Sequence, residues 1–202
     1  MPRRVPKQII YSDNFQKKYR YTLIEPEGKN FDLAFKPHLS PKEMLQLGVF
    51  GGAYFIGVKN LMPTDLPKTW FKGVALPPDQ KKHKEYNVFR VSASQPLSVW
   101  QEKGWIYKDD PHGWFQWYCR YYLGRRIPAE DARQIKRWKA ISRHIVQIQK
   151  NCRKGDATCR PRQRQAVLHW AYDSRTLREN CLDGDGSLRR GKVGLCFLRT
   201  LS

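Results

Sequence analysis

The chain has 202 residues, with 38 Lys and Arg against 18 Asp and Glu, a formal charge of +20, and 40% hydrophobic residues. That length and apolar content can bury a core without metal or disulfide staples, and no run approaches the ~20 apolar residues of a membrane span. A soluble protein with a polyanionic partner is therefore expected.

Five cysteines scattered at 119, 152, 159, 181 and 196 form an odd set. They fit mostly free thiols in an intracellular, reducing compartment, cytoplasmic or nuclear. The start of the chain carries charge with no apolar run behind it, so no secretory signal is expected.

Taken in chain order, residues 9–35 alternate apolar and polar groups around Ile9-Ile10-Tyr11 and Tyr19 to Ile24, which predicts short strands. Ser40-Pro41-Lys42-Glu43 has the form of a capping box, with Pro41 in the first turn, and predicts a helix over 41–47 that stops at Gly48. Val49 to Val58 holds glycines among small and aromatic residues, a tight turn against a packed surface that could lead into a buried strand. Pro77 to Lys84 reads as an exposed loop, and Asn87 to Val91 as a strand. The glycine patterns at Gly48-Val-Phe-Gly51 and Tyr54-Phe-Ile-Gly57 are too short to specify a binding or nuclease module.

The second half is helical. Ser94-Gln95-Pro96 predicts a helix through Lys103, and Asp109-Asp110-Pro111 predicts another over about 112–123. This second helix carries Trp114, Phe115, Trp117, Tyr118, Tyr121 and Tyr122, leaving Gln116 and Arg120 as its polar stripe. Six aromatics in one helix read first as core, with base stacking as the alternative. Pro128 with Glu130 and Asp131 opens a single basic helix to about 151. Its apolar stripe is Ile135, Trp138, Ile141, Ile145, Ile148 and Cys152. Pro161 starts a last helix with Val167, Leu168 and Ala171 inward.

The expected fold class is α+β, with an irregular N-terminal half of a few short strands and a helical C-terminal half of four to five helices. Three regions are expected: 1–93, 94–178, and a loosely ordered tail at 179–202. The first two can share one core.

The cation changes along the chain. Residues 112–178 hold twelve Arg and four Lys against four acids, whereas residues 1–111 hold four Arg and fourteen Lys against eleven. Guanidinium binds phosphate through two parallel hydrogen bonds and stacks on flat rings, so an arginine-rich helical surface points to DNA or structured RNA. The candidate phosphate contacts are Arg120, Arg125, Arg126, Arg133, Lys136, Arg137, Lys139, Arg143, Lys150, Arg160, Arg162 and Arg164.

One alternative is a nucleic-acid-processing enzyme, either a nuclease or a base-flipping type. It would be centred on Asp109, Asp110 and His112, where paired carboxylates and an imidazole could hold magnesium or move a proton. A second alternative is a basic module for an acidic protein or a membrane surface. Protein partners are otherwise unspecified. His144, Cys152, Cys159 and His169 are zinc-type ligands at the wrong spacing, which leaves a buried thiol pair as the simpler reading. No metal or other cofactor is implied.

Overall fold

The structure is a computed structural model that describes residues 6–153 and 155–177. The expected tail at 179–202 lies outside the described residues. The fold is α+β, with a two-stranded antiparallel sheet in the N-terminal half and, among the described residues, five helices after residue 94. Strands β1 (Lys7–Tyr11) and β2 (Tyr19–Leu23) pair with Ile9 opposite Tyr21. Helix α1 (Pro41–Gln46) has the full reciprocal capping box between Ser40 and Glu43. Irregular turns then lead to α2 (Leu97–Glu102), α3 (Trp114–Leu123), α4 (Pro128–Ala140), α5 (Ser142–Asn151) and α6 (Pro161–Leu168).

Helix α3 runs through the interior. Nine of its ten residues are buried, including both members of its presumed polar stripe, Gln116 and Arg120. One apolar cluster draws Tyr21, Phe35, Phe55 and Trp70 from the first half together with Trp117, Trp138, Ile145 and Leu168 from the second. Phe35 makes edge contacts with Trp117, Tyr118 and Trp138, and Trp138 stacks on Tyr172 at 4.6 Å. Aromatic pairs of this kind add roughly 0.5–1.5 kcal/mol each beyond the area they bury.

The aspartates before α3 do not cap it. Gly113 occupies the N-cap with φ of 92°, no side-chain cap is made, and Asp110 turns inward instead. At the other end, Gly124 (φ of 111°) lies so close to the Glu25 carbonyl that an added Cβ would stand 2.0 Å from it. The amides of Ile24 and Glu25 both donate to the Gly124 carbonyl, which fastens the end of β2 to the end of α3.

The 49–58 stretch is a run of turns, as expected, and leads into no strand among the described residues, whereas the strand expected at 87–91 is a turn held by Asn87. The Asn87 side chain donates to the Val91 carbonyl at 2.9 Å and accepts from its amide at 3.2 Å, taking the groups that a neighbouring strand would need.

The predicted single helix at 128–151 is two helices. At the junction the Ile141 amide bonds to the Trp138 carbonyl and the His144 amide to the Ile141 carbonyl, both tighter three-residue steps. From Ile135 to Cys152 the stripe spans seventeen residues in five steps, about 3.4 per step against 3.6 per turn, so a straight helix would rotate it by roughly 100°. The tighter turn recovers part of that rotation. Ile135, Trp138, Ile145, Ile148 and Cys152 are accordingly all buried.

The expectation of free thiols holds for Cys119, which is buried and unbonded, and fails for Cys152 and Cys159. The end of α5 and the approach to α6 bring their Cα atoms to 5.7 Å, and the two form a disulfide. In the chain-entropy account, closing so short a loop stabilises by about 2.5 kcal/mol. Among the described residues no His, Cys, Asp and Glu group could hold a metal ion. Among the described residues no helix is long and apolar enough to cross a membrane.

Candidate functional site

Of the three residues proposed as a catalytic centre, Asp110 and His112 lie inside the protein and Asp109 is half-buried. Asp110 is fully buried, with one carboxylate oxygen 3.0 Å from Arg120 and the other 2.5 Å from Arg125. Arg120 spends its remaining donors on Asp65 (2.9 Å), the Asp109 carbonyl (2.5 Å) and Gln16 (3.1 Å). Its guanidinium also sits 5.0 to 5.2 Å from the ring centres of Tyr11, Tyr19 and Tyr21, all on the hairpin. Burial lowers the Arg120 pKa, but Asp65 and Asp110 more than offset this and hold it above the usual arginine value. Both guanidinium groups are held above the usual arginine value, and they are matched by directed hydrogen bonds rather than by water.

His112 belongs to the same buried assembly. Its Nε2 is 2.9 Å from the Asp13 carboxylate, which also accepts from the Tyr11 hydroxyl at 2.8 Å. Burial holds the imidazole pKa below its usual value despite Asp13, so His112 is neutral at pH 7 and donates through Nε2. Burial raises the Asp13 carboxyl, but bonds from His112, Tyr11 and two backbone amides outweigh it and leave the pKa below the usual range. Asp109 contributes its carbonyl, which accepts from Gln16 and Arg120. Asp13, Asp65 and Gln16 were missing from the sequence reading. Their bonds to Tyr21, His112 and Arg120 span 44 to 104 residues, and no local pattern marks such separations.

Several arginines assigned to phosphate are therefore structural. Arg120 and Arg125 are interior, as is Arg164, which donates to the carbonyls of Cys159, Asp156 and Ser174 and so clamps the loop before α6. Arg126 stacks 3.9 Å above Tyr121 and donates to the carbonyls of Tyr121, Arg125, Lys29 and Asn30. Arg133 is bidentate to Glu130, and Arg137 donates to Gln134 and the Trp105 carbonyl while lying over Trp170. These side chains already have acceptors, and moving them to phosphate would strand buried or half-buried groups. The aromatics of α3 are core as well. Trp114, Trp117 and Tyr118 are all buried, so none presents a face for stacking.

A smaller cationic set remains at the surface. Lys136 and Lys139 are exposed three residues apart on α4, Arg143 and Lys150 are exposed two turns apart on α5, and Arg162 is exposed on α6. None of the five is ion-paired among the described residues. Arg160 is half-buried and donates to Gln163 at 2.9 Å. Residues separated by seven in a helix share one face, so Arg143 and Lys150 point the same way. Helix α5 contains no carboxylate. An open groove of about 290 Å³ joins α5 and α6 to the segment before α2, with His144 and Arg162 both in its wall.

Comparison of the chain with protein families, with characterised proteins and with solved structures gave no match.

Proposed function

We propose that the protein binds nucleic acid through the outer face of α4, α5 and α6, with Lys136, Lys139, Arg143, Lys150 and Arg162 on phosphates. The observation that carries this reading is the acid-free helix α5, which exposes Arg143 and Lys150 on one face and contributes His144 to a groove also walled by Arg162. Cations held on rigid helices without carboxylate partners are available to neutralise phosphates and release counterions, and this needs no particular base sequence. The footprint is smaller than the arginine content alone implies. Its affinity should be correspondingly modest and sensitive to salt.

The processing-enzyme reading has no comparable support, because both Asp110 oxygens are already held by guanidinium groups and His112 is bound to Asp13.

Fluorescence anisotropy with labelled DNA and RNA, stepped from about 50 to 200 mM salt, tests the proposal. The wild-type chain should bind with a steep negative dependence on salt. The triple variant Lys139→Glu, Arg143→Glu, Lys150→Glu should lose more than tenfold in affinity and flatten the log-log slope by roughly 2 to 3. Absence of binding to every nucleic acid at the lowest salt would remove the proposal. Retained binding to an acidic protein or to anionic vesicles in that case would favour the interaction-module alternative.

A further inference from the structure

The groove beside α5 offers more than charge. Its wall includes Ser92, Ser94, Gln95, His144, Arg162 and Gln163, two alanines complete it, and no carboxylate takes part. Arg160 engages the Gln163 carbonyl oxygen, which leaves the Gln163 amide nitrogen without a partner among the described residues. Burial, and then the neighbouring Arg143, keep the His144 pKa below its usual value. At neutral pH its imidazole therefore offers one donor and one acceptor. The wall thus combines a planar cation with hydroxyls, amides and a neutral ring able to match either sense of hydrogen bond. A volume of about 290 Å³ stands at the small end of ligand clefts, which begin at roughly 300 Å³.

We infer that this groove is a subsite for one nucleotide unit of a single-stranded nucleic acid, with Arg162 on the phosphate and the histidine, serine and glutamine side chains on the sugar and base edge. The inference rests on the nucleic-acid reading above and narrows it to a strand that is locally unpaired. A base in a duplex is stacked and paired, so a single unit cannot enter a cleft of this size without leaving the helix. An unpaired strand can place one unit in the groove and run its neighbouring phosphates past Arg143 and Lys150. Groups that act as donor and acceptor read base edges tolerantly, so the subsite should select for strandedness more than for sequence.

The test uses the full chain and two readouts. In the first, proton NMR follows the imidazole signals while uridine monophosphate or inorganic phosphate is added. His144 should shift saturably with the nucleotide and much less with phosphate, while His112 and His169, which do not line the groove, should stay fixed and report an intact fold. Arg162→Gln should weaken that response by about tenfold. In the second, Arg162→Gln and His144→Ala are compared on a single-stranded oligonucleotide and a duplex of equal length. Both should weaken the single strand several-fold more than the duplex.

An unmoved His144 at millimolar nucleotide, with oligonucleotide binding retained, would overturn the subsite and leave the broader reading standing. An equal response to inorganic phosphate, or equal losses on the two oligonucleotides, would also overturn it. Failure of every oligonucleotide to bind would overturn both.

Discussion

Asp110 shows how far a residue's role can depart from its neighbourhood in sequence. Beside Asp109, Pro111 and His112 it has the composition of a helix cap or a catalytic centre, yet it anchors two interior guanidinium groups to the hairpin side of α3. Removing one partner from such a pair leaves an uncompensated buried charge, which costs on the order of 3–5 kcal/mol. Asp110→Ala should therefore lower stability by about that amount, measured by urea unfolding, and should reduce nucleic-acid binding only in step with the loss of folded protein. A variant that folds normally but fails to bind would place Asp110 in the interface instead. Arg120 and Arg125 look, in sequence, the same as the exposed Arg143. Only their distant acceptors, Asp65 and Gln16 among them, separate the two kinds.

At the scale of the element, α4 and α5 carry both the core and the candidate surface. Their apolar stripe was legible from spacing, and its buried members confirm it. The break at Ile141 was not legible as a break, since no proline or glycine lies between Ala129 and Asn151. The short mean spacing of the stripe was the available signal, because it is incompatible with a long straight helix facing one core. Ile145 and Ile148, both fully buried on α5, should each cost roughly 2–5 kcal/mol when replaced by alanine, with the larger loss wherever neighbours cannot close the cavity. Gly124→Ala should also destabilise, because the positive φ and the Glu25 carbonyl leave no place for a methyl group. A thermal melt within a degree of wild type would show that the β2 to α3 junction can relax.

At the scale of the whole molecule, buried histidines set the response to acid. His169 is pushed down to about 4 by burial and by Lys82, and burial also depresses His112. A depressed histidine stays neutral in the fold while the unfolded chain takes up a proton near pH 6.5, so acid favours the unfolded state. Stability should fall as pH drops from about 6.5 towards 4, before most carboxylates titrate. A thermal midpoint that is flat across this window would contradict the burial of these rings. His169→Gln should make the decline shallower.

The sequence by itself determined the elements whose signals are local. These were the short strands from alternation, α1 from its capping box, the helical second half from periodicity and prolines, and the excess of positive charge. Tertiary structure decided which cations are free, because a guanidinium is committed or available according to acceptors that can lie a hundred residues away. It also decided that Gln116 and Arg120 of the aromatic helix are interior, that Cys152 and Cys159 are joined, and that His144 and Arg162 share a wall. Local patterns are fixed by neighbours along the chain, whereas burial and pairing are fixed by neighbours in space.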